Sequence, residues 1–265
     1  MRRVTLIAVL AVLAIVAAGC QTGGPEVRVE LTTRPRPALP TAIPTYVHSE
    51  PPRTPHPPGA LCPTGRPPEP PRATGQPDVT ARVNRAWDRI ERWLRAHAPA
   101  TLATLKAPAS ARRVRAAEAA MSVGFPADLV ASLRRHDGAR TTNLSTVFQL
   151  PPMYGLMSLD EVRQDWRTRC GIIERAGDQP GWWWHAKFVP FAQDFGGDVL
   201  VVDQRPEGGG RVGLHSHEDG MHFEGEPDSL ATLLEQTARA LDSGQPCGGY
   251  RAEVNEVGGL DWVPA

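Results

Sequence analysis

The stretch KFVPFAQDFGGDVLVVDQRPEGGGRVG, residues 187–213, decides the fold. It predicts three strands, at residues 188–192, 199–203 and 211–215, because apolar runs rich in β-branched residues alternate with turn residues. Glycines at positions 196–197 and 208–210 supply the turns between them. Connections this short join neighbouring antiparallel strands, and a fourth strand at residues 221–224 continues the meander.

Helical patterns precede the strands. The first helix begins near Thr80, and its inward positions recur every three or four residues: Val83, Trp87, Ile90, Leu94 and His97. Ser110 is placed to cap a second helix that ends near Met121. Pro126 suits the first turn of a third helix over residues 127–135.

Three further elements complete the predicted domain. Residues 145–150 read as a strand, and Ser158 with Glu161 forms a capping box for a helix that runs to about Thr168. A last helix covers residues 229–241. Helices followed by a strand meander and a helix indicate an α+β fold, a mainly antiparallel sheet flanked by helices, in one domain over residues 80–245. Residues 246–265 are expected to pack on this domain or trail from it.

The N-terminus has the features of a bacterial export signal. Two arginines after Met1 precede an apolar run that is too short to span a bilayer, and small residues follow it. Cys20 comes directly after Ala-Ala-Gly, which resembles the lipobox whose cysteine receives diacylglycerol and acyl chains such as palmitate. Residues 1–19 are therefore predicted as a signal peptide, with a lipid on Cys20 anchoring the protein outside the cytoplasm. The alternative is an ordinary signal peptide with an accidental cysteine.

Residues 20–79 are predicted to be a disordered, proline-rich linker. Sixteen of the chain's 27 prolines fall in this region, and no apolar periodicity is present. Proline removes backbone donors and favours extended polyproline II structure, which suits a spacer between membrane and domain.

The order of several segments resembles the SMI1/KNR4 family of the SUKH superfamily. The resemblance covers about residues 80–245 and rests on WDRIERWL (87–94), AEAAMSVGFPADLVASLRRHDG (117–138), LMSLDEVRQDW (156–166), the 187–213 stretch and HEDGMHFEGEPDSLATLLEQ (217–236). It implies an SMI1/KNR4-like α+β domain that binds other molecules rather than catalysing a reaction, with no shared catalytic residues. Many bacterial members are toxin-immunity proteins, which makes immunity an alternative function, although most of those act in the cytoplasm.

Two groups of residues are candidates for the binding face. The first is Trp182-Trp183-Trp184, because consecutive strand residues face opposite ways and at least one ring should be exposed, with Trp183 favoured. Exposed aromatic rings are typical anchors for protein or sugar partners. The second group is Asp194, Asp198 and Asp203, which flank a glycine turn and the following strand. Turn capping explains these aspartates best, and acid–base chemistry in an envelope enzyme is the minor alternative.

Other classes of function have little support. His215, His217 and His222 could approach a metal, but solvated histidines are the expected state, and no metal or other cofactor is predicted. No known catalytic motif is present, so the protein is not expected to be an enzyme. With 29 basic and 29 acidic residues the formal net charge is zero, which argues against nucleic acid as a partner. The expected partners are the membrane, through the lipid, and a protein or cell-wall polymer.

Three cysteines remain after Cys20 is assigned to the lipid. In an oxidising compartment one disulfide and one free thiol are the simplest arrangement. The expected pair is Cys62 with Cys247, which would staple the linker to the domain and leave Cys170 buried. A link from Cys170 to Cys247 is the open alternative.

Overall fold

The computed structural model of the chain describes Cys62, residues 76–176 and residues 183–265. The predicted signal peptide, Cys20 and most of the predicted linker lie outside these residues. Among the described residues, no helix is both long enough and apolar enough to cross a bilayer.

Six helices are present in the described part: α1 (Pro77–His97), α2 (Pro99–Leu102), α3 (Ala111–Met121), α4 (Ala127–Arg135), α5 (Leu159–Ala176) and α6 (Leu230–Ser243). Several begin where side chains satisfy the first backbone donors. Ser110 accepts a hydrogen bond from the backbone N–H of Arg113, and Ser229 accepts one from Thr232. These two caps are the reason that α3 and α6 start where they do.

Within the same residues, eight strands form two sheets: β1 (Gln149–Leu150), β2 (Tyr154–Leu156), β3 (Phe188–Gln193), β4 (Val199–Asp203), β5 (Val212–Ser216), β6 (Gly220–His222), β7 (Tyr250–Val254) and β8 (Leu260–Pro264). The first six pair in sequence order as one antiparallel sheet, and β7 pairs with β8. In the central hairpin Phe188 lies opposite Asp203, and Gln193 lies opposite Val199. The structure confirms the α+β class and the antiparallel meander.

Helices pack on the sheet, and helices, strands and connecting segments all supply core residues. Helix α1 packs against α4 and α6, while α5 packs against α3 and β3. Four of the five inward residues of α1 that the periodicity predicts are fully buried: Val83, Trp87, Ile90 and Leu94. The fifth, His97, is exposed at the last residue of the helix. The indole Nε1 of Trp87 donates to Ser132 Oγ at 3.1 Å, so the one polar atom of this ring has a partner inside the core.

Some element bounds differ from the predictions. The expected strand over residues 145–150 shortens to β1, because backbone and side-chain oxygens of Asn143 hold Ser145 and Val147 in a turn. Helix α5 continues past Thr168, since Cys170 and Ile173 extend its buried face. Helix α1 begins at Pro77, three residues before the predicted start.

The capping box of α5 forms only in part. The carboxylate of Glu161 accepts hydrogen bonds from the backbone N–H and hydroxyl of Ser158, as expected for its half of the motif. The first N–H of the helix, on Leu159, donates instead to Asp137 at 2.8 Å. Asp137, which lies 22 positions away along the chain, therefore caps the start of α5 beside Ser158 and Glu161, a contact that sequence spacing does not reveal.

Residues 246–265, expected as a tail, contain the β7–β8 hairpin. Leu260 and Trp262 are buried, and the indole of Trp262 donates to the backbone oxygen of Gln149 at 3.0 Å. Asn255 at the hairpin turn donates to the backbone oxygen of Ser145 at 2.7 Å. These contacts attach the hairpin to the segment around β1.

The predicted disulfide is wrong. Cys62 pairs with Cys170 of α5, with a Cα–Cα distance of 5.7 Å, and Cys247 carries a free thiol. Both paired residues are buried. Cys170 lies on the inward face of α5, one helical turn from Trp166, and this position places its sulfur where Cys62 enters the core. Cys247 instead begins the segment that leads into β7, where it is partly exposed.

Candidate functional site

Two of the three consecutive tryptophans lie in the described residues, and they have different surroundings. Trp184 is fully buried, whereas Trp183 is partly exposed. The ring of Trp183 contacts His215 edge-on at 4.7 Å between centroids, and its Nε1 donates to the backbone oxygen of His217 at 3.0 Å. Trp182 lies outside the described residues. The structure thus holds one partly exposed indole in a fixed orientation.

A buried polar cluster supports Trp183 from below. Arg169 of α5 donates to Nδ1 of His215 at 2.7 Å, to Asp165 at 2.7 Å and to the backbone oxygen of Gly197 at 2.9 Å. Its guanidinium also lies over the ring of Trp184, 5.3 Å from the centroid. These bonds connect α5 to the β3–β4 turn and to β5 at one end of the sheet.

His215 differs from the solvated histidine that the sequence suggested. It is fully buried on β5, and burial followed by the adjacent Arg169 lowers the pKa of its ring to about 3. The ring is therefore neutral near pH 7. Because Arg169 donates to Nδ1, the proton lies on Nε2, which has no hydrogen-bond partner among the described residues. The sequence suggested a solvated ring because it does not reveal that helix α5 covers this face of the sheet.

His217 lies at the surface next to Asp198. Its backbone N–H donates to Asp198 Oδ1 at 2.9 Å, and its ring Nδ1 lies 2.7 Å from the same oxygen. The hydrogen bond to Asp198 raises the pKa of His217. Burial would raise the pKa of Asp198, but the two hydrogen bonds from His217 outweigh it and lower that pKa. A histidine–aspartate pair thus adjoins Trp183, and we call Trp183, His217 and Asp198 the Trp183 surface.

The three predicted aspartates do not form one face. Asp194 accepts backbone hydrogen bonds from Gly196, Gly197 and Asp198 at 2.7–3.0 Å, which fits the turn-capping interpretation. Asp203 lies at the other end of β4, about 17 Å from Asp198 at the usual rise per residue. It is fully buried, so its assignment to a binding face is wrong.

Two arginines explain the burial of Asp203. Arg205 donates to both carboxylate oxygens at 2.9 and 2.8 Å, and Arg211 donates to one of them at 3.2 Å. Burial would raise the pKa of Asp203, but the hydrogen bonds from Arg205 and Arg211 lower it. This carboxylate stabilises the β4–β5 connection and is shielded from any partner.

Two depressions were not apparent from the sequence, because distant segments form them. A cleft of about 450 Å³ has charged side chains whose partners lie in the protein: Arg82 pairs with Glu235, and Lys187 donates to the backbone oxygen of Ser122. A larger groove of about 650 Å³ lies between α6, the β1–β2 turn and the segment before β7. Within the described ranges, no group of three or more histidine, cysteine or acidic side chains could hold a metal ion.

Comparison with known proteins identifies part of this chain. Residues 108–236 match the model of the SMI1 / KNR4 family (SUKH-1). A stretch of 94 residues is 32% identical to the KNR4/SMI1 homolog of Kluyveromyces lactis, covering 34% of this chain and 18% of that protein. A stretch of 95 residues is 35% identical to the KNR4/SMI1 homolog of Eremothecium gossypii, covering 34% of this chain and 14% of that protein. The chain thus spans less than a fifth of either relative's length.

Proposed function

Because residues 108–236 form a domain of the SMI1/KNR4 family, we propose that this chain is a lipid-anchored binding module. Its partner is a protein or a cell-wall polymer outside the cytoplasm. The observation that carries the proposal is the Trp183 surface, where a partly exposed indole is held rigidly beside a histidine–aspartate pair.

Rigidity makes this indole suited to binding. Tryptophan is enriched at the centres of interfaces, where a few aromatic residues provide most of the binding energy. An anchor that is already fixed loses little side-chain freedom when a partner binds. The contacts of Trp183 with His215 and with the backbone of His217 fix it before binding.

The histidine–aspartate pair adds selectivity. The His217 side chain is 51% exposed and that of Asp198 is 25% exposed, so both can contact a partner. Partly exposed polar groups around an aromatic anchor resemble the rim of an interface, which excludes water and orients the partner.

Substitution of Trp183 tests the binding role. We expect Trp183→Ala to weaken retention of the partner, from an envelope extract or from purified cell wall, by at least about 30-fold, the cost of removing a hot-spot residue. The melting temperature should change little, because the ring is only partly buried. Trp93→Ala, which removes a partly buried indole from α1, is the matched control and should retain the partner fully. A large drop in melting temperature for Trp183→Ala, or undiminished retention, would refute the proposal.

Attachment to the membrane through a lipid is tested at Cys20. The small residues before this cysteine support lipidation, and two acyl chains hold a protein firmly on a membrane. We expect Cys20→Ala to move the protein from the membrane pellet to the supernatant or to block removal of the leader. Cys247→Ser, which removes a thiol from the folded domain, should leave the protein in the pellet. Normal processing and pelleting of Cys20→Ala would contradict lipidation.

Toxin immunity is a second candidate, favoured by the family match alone. It requires a toxin that is intercepted outside the cytoplasm, given the proposed anchor. A secreted toxin encoded beside this gene, whose purified form binds the wild-type domain and protects cells only when the domain is present, would favour immunity over a general binding role.

A further inference from the structure

The larger groove has walls of a particular chemistry. Tyr154, which is buried, and Tyr250, which is partly exposed, line it together with the consecutive prolines Pro151 and Pro152. We call this depression the Tyr154 groove. Leu214 of β5 also lines it, while its neighbour His215 supports Trp183 from the opposite side of the strand. The Tyr154 groove and the Trp183 surface are therefore separate sites.

An unpaired carboxylate lies in the groove. Glu226 is half-buried, and its side chain makes no hydrogen bond or ion pair with any residue that the structure describes. Burial raises the pKa of this carboxyl group, and no donor offsets the effect. Removing a carboxylate from water without a partner is costly, so a cation entering the groove would relieve that cost. The exposed Glu224 lies in the same wall and adds negative charge.

Donors without partners line the helix side of the groove. Gln236, which is partly buried, and Arg239, which is exposed, project from α6, and the ends of their side chains have no hydrogen-bond partner in the described ranges. A ligand with regularly spaced, unsatisfied carbonyl oxygens would suit these donors. Polyproline II has this property, because its backbone makes no internal hydrogen bonds.

We propose that the Tyr154 groove binds an extended, proline-rich peptide that carries an arginine, with the arginine paired to Glu226. Proline rings pack well in grooves lined by aromatic rings, and the stiffness of polyproline II lowers the entropic cost of binding. Three residues per turn place an arginine and every third proline on one edge of the peptide. That edge packs against Tyr154 and Tyr250, while the arginine pairs with Glu226.

A designed peptide tests this proposal. The probe is acetyl-RPAPAAP-amide, titrated into the full chain, with binding followed by calorimetry and by amide chemical shifts. We expect saturable binding, with shifts around Tyr154, Glu226 and α6. Glu226→Gln should weaken binding at least about tenfold, because it removes the charge that pairs with arginine. Asp228→Asn, a change at a nearby exposed aspartate, should leave binding unchanged.

Peptide controls separate the charge from the proline rings. The peptide APAPAAP should bind wild type and Glu226→Gln equally weakly, since neither complex retains the ion pair. The proposal is overturned if RPAPAAP fails to bind at about 1 mM, if RGAGAAG binds as well, or if Glu226→Gln binds like wild type. Shifts in these residues that depend on protein concentration without peptide would also overturn it, because a second copy would then occupy the groove. A loss of peptide binding in Trp183→Ala is not expected, so this proposal and the proposed function can fail separately.

Discussion

His215 and His217 are two residues apart, yet their surroundings favour opposite charge states. His215 is buried beside Arg169, which lowers its pKa to about 3. His217 is at the surface and donates to Asp198, which raises its pKa. The buried ring acts as a neutral acceptor that holds Arg169 in place, whereas the exposed ring can carry charge to a partner.

The buried histidine predicts a pH dependence of stability. Below about pH 6.5 the unfolded chain binds a proton at His215 that the folded chain does not bind until about pH 3. Stability from the neutral ring is therefore present above pH 6.5 and is lost as the pH falls. The loss approaches about 1.4 kcal/mol per pH unit. Urea unfolding at pH 7.5, 6.5, 5.5 and 4.5 should show a shallower decline for His215→Gln than for wild type.

His217→Gln is the control for that measurement. Because the folded pKa of His217 is raised, its stabilising effect is present at low pH and is lost as the pH rises, the opposite sign. Parallel pH profiles for wild type and His215→Gln would show that His215 is not protonated on unfolding in this range.

The sequence predicted the bounds of helices and strands correctly where contacts between nearby residues determine those bounds. Helices α3 and α4 have the predicted bounds, because serine and proline act within a few residues of the helix start. Strand β4 likewise matches its apolar run. The short strand β2 was missed, since its three residues become a strand by pairing with β1 on one side and β3 on the other. Sequence periodicity carries no signal for such a pairing.

The candidate site was predicted less completely than the fold. The tryptophan run drew attention to Trp183, but the buried Arg169 and His215 beneath it come from α5 and β5, 46 positions apart. The same limit explains the error for Asp203, whose two arginines remove it from the surface. Burial of a polar residue depends on partners that spacing along the chain does not reveal.

Asp128 joins two helices through its buried carboxylate. Its buried carboxylate accepts from the backbone N–H of Leu129 in α4 at 2.8 Å and from that of Ala231 in α6 at 3.1 Å. Asp128→Ala leaves these donors without a partner, and we expect a loss of about 2 kcal/mol in the free energy of unfolding. Asp228→Ala, at an exposed position before α6, should cost less than about 0.5 kcal/mol. Equal losses for the two variants in urea unfolding would exclude this capping role.

The folded unit is larger than residues 108–236, the segment that matches the family. Helix α1 precedes residue 108, yet Trp87, Ile90 and Leu94 are fully buried in the common core. The β7–β8 hairpin follows residue 236 and buries Trp262. Residues on both sides of the matched segment are therefore part of the described fold, and a fragment limited to residues 108–236 would expose these apolar surfaces.

The disulfide extends this unit toward the N-terminus. Cys62 and Cys170 are separated by 108 positions, and closing so long a loop restricts the unfolded chain strongly. We expect Cys62→Ala/Cys170→Ala to lower the free energy of unfolding by about 2–5 kcal/mol in urea titrations. Cys247→Ser should have little effect under the same conditions, and non-reducing peptide mapping of wild type should recover the Cys62–Cys170 link alone. A mapped link to Cys247, or equal stability of the double variant and wild type, would show that the N-terminal chain is not fixed to α5.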